Sequence, residues 1–371
     1  MAGLGRKVFN AGEVLSAANV QGYLQDQVVQ VYSGTAARSS ALGTAVSEGM
    51  TSYLTDSNEL SVYTSNGTAA WSPVNLQQSP NAVINGAFDI WQRGTSFTNP
   101  SSSGGVKAYT ADRWPVAFDG SGATRVLSRE TFTPGTAPVS GYEGAYFLRN
   151  NVSTAGSGST YNTLYTEIED VRTFAGQTVT FSFWAKAAAT TTIRYISLKQ
   201  NFGSGGSSAT ETNFMTNLAV STSWTRYSYT ISVASIAGKT IGTGSHLLLE
   251  FGLPLNSINT LDFWGVQLEA GSVATPFRRN APSLQGELAA CQRYYYRMTG
   301  DQLYSFFGTG FSNSTTTAKM MFSLPVTMRV LPTSVEYSTL VLTDTAANYT
   351  ISSLGIDSFN ASRFQPTIAV N

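Results

Sequence analysis

Short apolar runs with a two-residue period recur along most of the chain, separated by clusters of Gly, Ser, Thr and Asn. Strict alternation places successive side chains on opposite faces of a strand. Val179 to Ala185 is the strongest run. Ile193 to Leu198, Tyr227 to Ile231, His246 to Phe251 and Leu261 to Leu268 repeat the pattern. Many short strands without helical stretches between them predict a β-sandwich. The span of 81–280 suits a jelly roll of two sheets.

Three further units flank it. In 1–31, Ser16 can cap a helix carrying Val20, Tyr23, Leu24, Val28 and Val31 on one face. In 32–75, runs around 49–54, 60–63 and 70–71 predict a small β-meander. The polar, proline-flanked stretch around 76–80 predicts a linker. In 281–371, Ser283 can cap a helix bearing Leu284, Leu288, Cys291, Tyr294 and Tyr295. Strand patterns follow, among them 318–324 and the proline-bracketed 326–331, and form a smaller C-terminal β-domain. The fold class expected is mainly β: an N-terminal helix and meander, a jelly-roll sandwich and a β tip.

Neither the lone helix nor the small meander can bury its apolar surface alone. Symmetric closure around one axis would do so, so Val20, Tyr23, Leu24, Val28 and Val31 are expected at the interface of a homotrimer.

The chain has one His, one Cys and 12% charged residues, with no net charge. Intrachain disulfides, thiolate clusters and His-rich metal sites are thereby excluded. Phosphate binding needs a basic face, so nucleic acid is not an expected partner. No apolar stretch nears the length of a membrane helix, and no secretory signal follows Arg6-Lys7, so synthesis in the cytoplasm is expected. The polar, uncharged, aromatic-rich surface composition suits a protein that ends up outside the cell.

Candidate chemistry is sparse. His246, Leu248 and Glu250 share one strand face, and no nucleophile elbow accompanies the imidazole. Cys291 sits among apolar helix positions. Glu167 and Glu169 have strand spacing with Asp170 adjacent, which fits a glycosidase pair, a structural calcium site or a solvated edge. No catalytic residue and no cofactor is expected, calcium being the one open case. Trp91 and Trp114 stand beside Arg93 and Arg113, which suits Arg–indole stacking. Aromatics are the richer signal. Trp184 falls on the polar side of its strand, and with Tyr195 it could form a cross-strand platform for a sugar face. Tyr304 and Phe307, among Gly and Ser near Phe306 and Phe311, form a second candidate.

Several motifs are similar to those of bacteriophage tail-fibre and minor tail proteins. They are Asn85 to Thr95 (NGAFDIWQRGT), Tyr109 to Trp114 (YTADRW), Phe181 to Lys186 (FSFWAK), Gly265 to Ser272 (GVQLEAGS) and Ala274 to Phe277 (ATPF). Glu287 to Tyr295 and the N-terminal Gly5 to Gly12 with Tyr23 to Gln27 resemble the same family. The family resembles jelly-roll carbohydrate-binding modules. The resemblance implies a virion protein, anchored to tail or other virion proteins through its N-terminus, that binds a host surface polysaccharide without cleaving it. It supplies no catalytic residue. A head fibre or capsid decoration, and less readily a glycan-depolymerising tailspike, remain alternatives.

Overall fold

The computed structural model describes residues 14, 16–17, 20, 28–56, 59–65, 70–74, 81–100, 107–139, 142–300, 305–332, 334–343, 347–360 and 363–370. The chain divides into two compact units, 1–78 and 79–371.

In the first unit, β1 (Val29–Tyr32) pairs in parallel with β2 (Thr51–Leu54), and α1 (Thr35–Leu42) makes the crossover. β3 (Glu59–Thr64) and β4 (Ala70–Pro73) complete a four-stranded sheet by antiparallel pairing. The expected meander strands are present, but the expected helix does not reach Val31, because the chain is already in β1 from Val29. Val20 is helical; Tyr23 and Leu24 lie outside the described residues. Val28 precedes β1 and Val31 belongs to it, both exposed. A β-branched run ending in Tyr32 favours a strand where a sheet edge is there to pair with it. α1 has no apolar stripe to announce it. It is held instead by Arg38, which is buried, donates to Ser52 Oγ at 3.0 Å and lies 4.3 Å from the Trp71 ring centroid.

The second unit is built on two six-stranded antiparallel sheets. One has the order β14-β11-β16-β9-β8-β5, from β5 (Ser96–Thr98), β8 (Thr124–Thr131), β9 (Tyr146–Thr154), β11 (Thr178–Ala187), β14 (Thr225–Ser232) and β16 (Asn259–Ala270). The other has the order β13-β12-β15-β10-β7-β6, from β6 (Ala108–Tyr109), β7 (Pro115–Phe118), β10 (Asn162–Ile168), β12 (Thr191–Asn201), β13 (Thr210–Val220) and β15 (His246–Gly252). We call them the first and second sheets. Val179, Phe181, Phe183 and Ala185 meet Leu247, Leu249 and Phe251 in the core between the sheets. The Phe183 and Phe251 rings meet edge to face at 5.0 Å. Both inward sets follow the period-two reading of the sequence.

α2 (Leu284–Gln292) starts at Ser283, whose hydroxyl accepts the Gly286 N–H at 3.1 Å. It seals the sandwich by its buried Glu287, which accepts the backbone N–H groups of Asn85 and, at 2.9 Å, Ala281. The C-terminal sheet runs β17-β18-β22-β21-β20, with β19 also on β22. Its strands are β17 (Gly310–Ser312), β18 (Thr317–Met320), β19 (Phe322–Ser323), β20 (Val341–Thr343), β21 (Asn348–Asn360) and β22 (Arg363–Val370). Ile351 and Ile368 anchor a small core there. Residues 326–331, expected as a strand, are irregular, with bends at 326 and 329–330 and with Val330 and Leu331 exposed; the proline at each end limits pairing to a very short segment.

Candidate functional site

The two sheets differ in what covers their outer faces. On the first sheet, Trp184 packs on Trp264 with centroids 5.3 Å apart. Phe132, Phe147 and Phe277 join them in a closed aromatic cluster, with Tyr142 and Trp224 at its margin. Trp184 is on the side of its strand expected from the sequence, but it is only 7% exposed, with Arg226 over its ring at 4.5 Å. It is a packing residue under cover and offers no free ring plane. Nor is it a cross-strand neighbour of Tyr195: β11 lies in the first sheet and β12 in the second, so the chain changes sheets between them.

The second sheet leaves its outer face without such a cluster. The register places Tyr195, Ser197, Lys199 and Asn201 of β12 beside Gly252, Glu250, Leu248 and His246 of β15. On the other side of β15, Tyr165 stands opposite Glu250 and Glu167 opposite Leu248. Parity puts all of these on the face away from the core residues Leu247, Leu249 and Phe251. Tyr195 is half-buried and its hydroxyl donates to the Glu250 carboxylate. Its ring lies over the Gly252 backbone; a Cβ there would stand 2.3 Å from the ring, so glycine is required for this seat.

The charges on this face are spread and paired. Lys107 donates to Glu167, whose Oε1 also stands 3.6 Å from His246 Nε2. Lys199 faces Glu211 at 3.7 Å. Burial pushes the Glu250 carboxyl above its usual value, and Glu211 adds to this against the opposing Tyr195 hydrogen bond. Burial also pushes Glu167 up, but the bond and charge of Lys107, with His246 and Arg113, bring it below the usual range.

The Glu167, Glu169 and Asp170 triplet does not converge. β10 ends at Ile168, so strand parity stops short of Glu169. Glu169 turns to Arg293 at 3.1 Å, to the Tyr294 hydroxyl at 2.7 Å and to Arg329 at 3.6 Å, while Asp170 pairs with Arg172 at 2.7 Å. These three acids form no calcium cage, and among the described residues no group of three His, Cys, Asp or Glu side chains is placed to hold a metal. Arg93 and Arg113 also differ from expectation: they stack on Tyr295 at 3.4 Å and Tyr294 at 3.5 Å, holding the segment after α2, not on the neighbouring indoles. Trp91 and Trp114 are buried and donate to the Phe88 and Asn85 carbonyls at 2.7 and 3.0 Å. Cys291 is buried, and burial pushes its thiol up, away from reactivity. In the C-terminal part, Tyr304 lies outside the described residues and Phe307 is half-buried; Phe306, 90% exposed, and Phe311 are the presented rings.

No family model matches the chain, and no curated protein does. Among solved structures, it is similar to the enzymatically active domain of tailspike protein 4 from bacteriophage CBA120, at 15% identity and a TM-score of 0.31. That match covers 51% of this chain and 21% of the tailspike domain's, so the chain spans about a fifth of that protein. The CBM22-2 xylan-binding domain of Xyn10C from Paenibacillus barcinonensis matches at 18% identity and a TM-score of 0.28, covering 47% of this chain and 98% of that one. A CBM4 module matches at 15% identity and a TM-score of 0.28, over 50% and 98% of the two chains. At these scores the functional reading has to come from this chain's own side chains.

Proposed function

We propose that the protein is a virion adhesin, a tail fibre that binds a host surface glycan on the outer face of the second sheet without cleaving it. The observation that carries the glycan reading is the contrast between the two outer faces. One is closed by its own aromatics. The other presents the half-buried Tyr195 on a glycine seat, with Glu250 at its hydroxyl and Lys199 and Glu167 farther along the same face, while Tyr165 beside Glu250 is buried. A sugar offers a flat C–H face and several hydroxyls. A tyrosine plane with a carboxylate beside it answers both. The virion reading rests on the sequence motifs, and attachment through residues 1–31 and trimeric assembly belong to it. Trimerisation would multiply a weak single site by avidity.

Replacing Tyr195 with alanine is expected to weaken binding of host polysaccharide fragments about 5- to 150-fold. This takes a stacked sugar face as worth no more than a base on an aromatic, about 1–3 kcal/mol. Calorimetric titration checks it, and unchanged affinity would overturn the assignment of this face.

Glu250 makes the binding pH-dependent. As an anion it accepts hydrogen bonds; its raised value means that it takes up a proton at a higher pH than an ordinary carboxylate. Affinity is therefore expected to fall on mild acidification, and Glu250→Gln should flatten the profile at the weaker level. The linkage to folding has the opposite sense. The proton stabilises the fold fully below the unfolded-chain value, and that contribution is lost as pH rises through the folded value.

A hydrolytic reading has one observation behind it: Glu250 pushed up and Glu167 held down on one face, as an acid and an anion would be. Against it, Tyr195 occupies Glu250, and Lys107 and His246 occupy Glu167. Assaying host polysaccharide for new reducing ends separates the two readings, and their appearance would favour the enzyme.

A further inference from the structure

A cavity of about 120 Å³ lies between the stretch 93–113 and the end of α2, with Arg93, Tyr109, Asp112, Arg113 and Tyr295 in its wall. One water takes about 30 Å³ of liquid, so this is room for about four waters or for one compact polar group. The Arg93 guanidinium lies 3.4 Å from the Tyr295 ring centroid and 4.8 Å from that of Tyr109. Its side chain is 25% exposed. It donates no side-chain hydrogen bond among the described residues, and none of its nitrogens is sealed from solvent, so its unpaired N–H groups can be reached. The nearest carboxylate is that of Asp112, whose Oδ1 stands 4.0 Å from Nη1, beyond hydrogen-bond reach. Asp112 is buried and engaged instead by the Gln92 backbone N–H at 3.1 Å and by the Gln92 side-chain amide. Burial lowers the Arg93 pKa from its usual value, and Asp112, the two tyrosines and Glu336 offset this only in part.

Arg113 places a second guanidinium in the wall, 3.5 Å from the Tyr294 ring and bonded to the Glu167 carbonyl. Two cations thus share the cavity with one carboxylate, which leaves an excess of one positive charge. The cavity also belongs to the outer face of the second sheet. Ala108 of β6, Val116 of β7 and Leu164 of β10 stand in one register row and face the core. Tyr109 is in the next row and faces outward, as Tyr165 and Glu250 do. From β6 to β15 is three strand spacings, about 14 Å. The charged cavity and the Glu250–Tyr195 pair therefore lie on one face, within reach of a single chain of a few sugars.

We propose that the ligand is an acidic glycan, one uronate of which places its carboxylate against Arg93 in this cavity while a neighbouring sugar lies on Tyr195. The inference rests on the glycan reading of the sheet face and names the class of glycan. One excess positive charge matches one carboxylate. A guanidinium and a carboxylate are both planar and meet through two parallel N–H···O bonds. Tyr295 and Tyr109 hold the fork in place, so little side-chain freedom is lost when a carboxylate accepts from it.

The test is titration of the full chain with glucuronate, glucose and acetate, followed by ligand NMR. Glucuronate and glucose differ only in a carboxylate that replaces a hydroxymethyl group, so the ratio of their affinities reads that group. Glucuronate should bind the wild type about tenfold more tightly than glucose, as hydrogen bonds to a charged group predict. The preference should shrink as sodium chloride is added, because the cavity is open to solvent. Arg93→Met should abolish it, and Arg93→Lys, which keeps the charge and loses the fork, should retain only part. The wild-type ratio and its salt dependence decide the matter even if Arg93→Met does not fold. Equal affinities for glucuronate and glucose, or a preference that survives in Arg93→Met, would overturn the proposal. So would acetate binding as tightly as glucuronate, since the sugar would then add nothing. Host polysaccharide fragments with their carboxyl groups reduced to alcohols report on the sheet face separately. Their binding should be weakened in Tyr195→Ala and kept in Arg93→Met; if Tyr195→Ala leaves it unchanged, the sheet-face reading fails, whatever glucuronate does.

Discussion

Asn81→Ala is expected to cost the fold about 3–5 kcal/mol, although the residue stands at the border of a stretch with no strand pattern. The side chain is 1% exposed. Its Nδ2 donates to the carbonyls of Val266 and Arg278, each at 3.0 Å. Its Oδ1 accepts the N–H groups of Val83 at 2.9 Å and Leu268 at 3.1 Å. One amide thus ties the first residues of the sandwich to β16 and to the segment leading into α2. Alanine would leave four backbone groups without this partner, each costing about 1–3 kcal/mol when buried, less whatever entering water restores. The neighbouring geometry leaves little slack: a Cβ on Gly86 would come within 2.1 Å of the Val266 carbonyl oxygen. Asn81→Asp should do no better, because it turns an anion toward two carbonyls. Denaturant midpoints at unchanged slope give the value. A loss under 1 kcal/mol would mean that water replaces the amide.

The role of Asn81 shows where sequence reading stops. Strand existence and core parity were legible because both depend on nearest neighbours in the chain. Val179, Phe181 and Phe183 point inward in the structure as their alternation predicts, and so do Leu247, Leu249 and Phe251. Ser283 capped the helix expected of it. What failed depends on partners far away in sequence. Trp184 sits on the side of its strand that alternation assigns, but it is packed among Phe132, Phe147, Trp264 and Phe277 with Arg226 over its ring, which no local pattern connects to it. Tyr195 was paired with Trp184 because consecutive strands usually neighbour each other; here the connection crosses from one sheet to the other. Glu167 and Glu169 share parity on paper, and the strand ends between them. α1 was illegible because Arg38 and small residues, not an apolar stripe, hold it. The Tyr195 face could have been approached from sequence through the alternation of His246, Leu248 and Glu250. Only the sheet order brings Tyr165 and Glu167 beside it.

Trp264→Ala separates the two outer faces by experiment. Trp264 is fully buried and central to the cluster on the first sheet. Its ring lies 4.8 Å from Phe277, 5.3 Å from Trp184 and 5.6 Å from Tyr142. Truncation removes one of the two buried tryptophans of that cluster and leaves a cavity that its aromatic neighbours can only partly refill, at a cost of about 3–5 kcal/mol. If the cluster is packing and the second sheet binds glycan, the folded fraction of Trp264→Ala should keep wild-type affinity. Tyr195→Ala should do the reverse, with near wild-type stability and weakened binding. Trp264→Phe, which loses less volume, extends the test should the alanine variant fail to fold. Loss of glycan affinity in folded Trp264→Phe, with Tyr195→Ala binding normally, would move the site to the first sheet. Trp184 would then have to be uncovered by displacement of Arg226 from its ring before it could meet a sugar, and binding would be slowed by that opening.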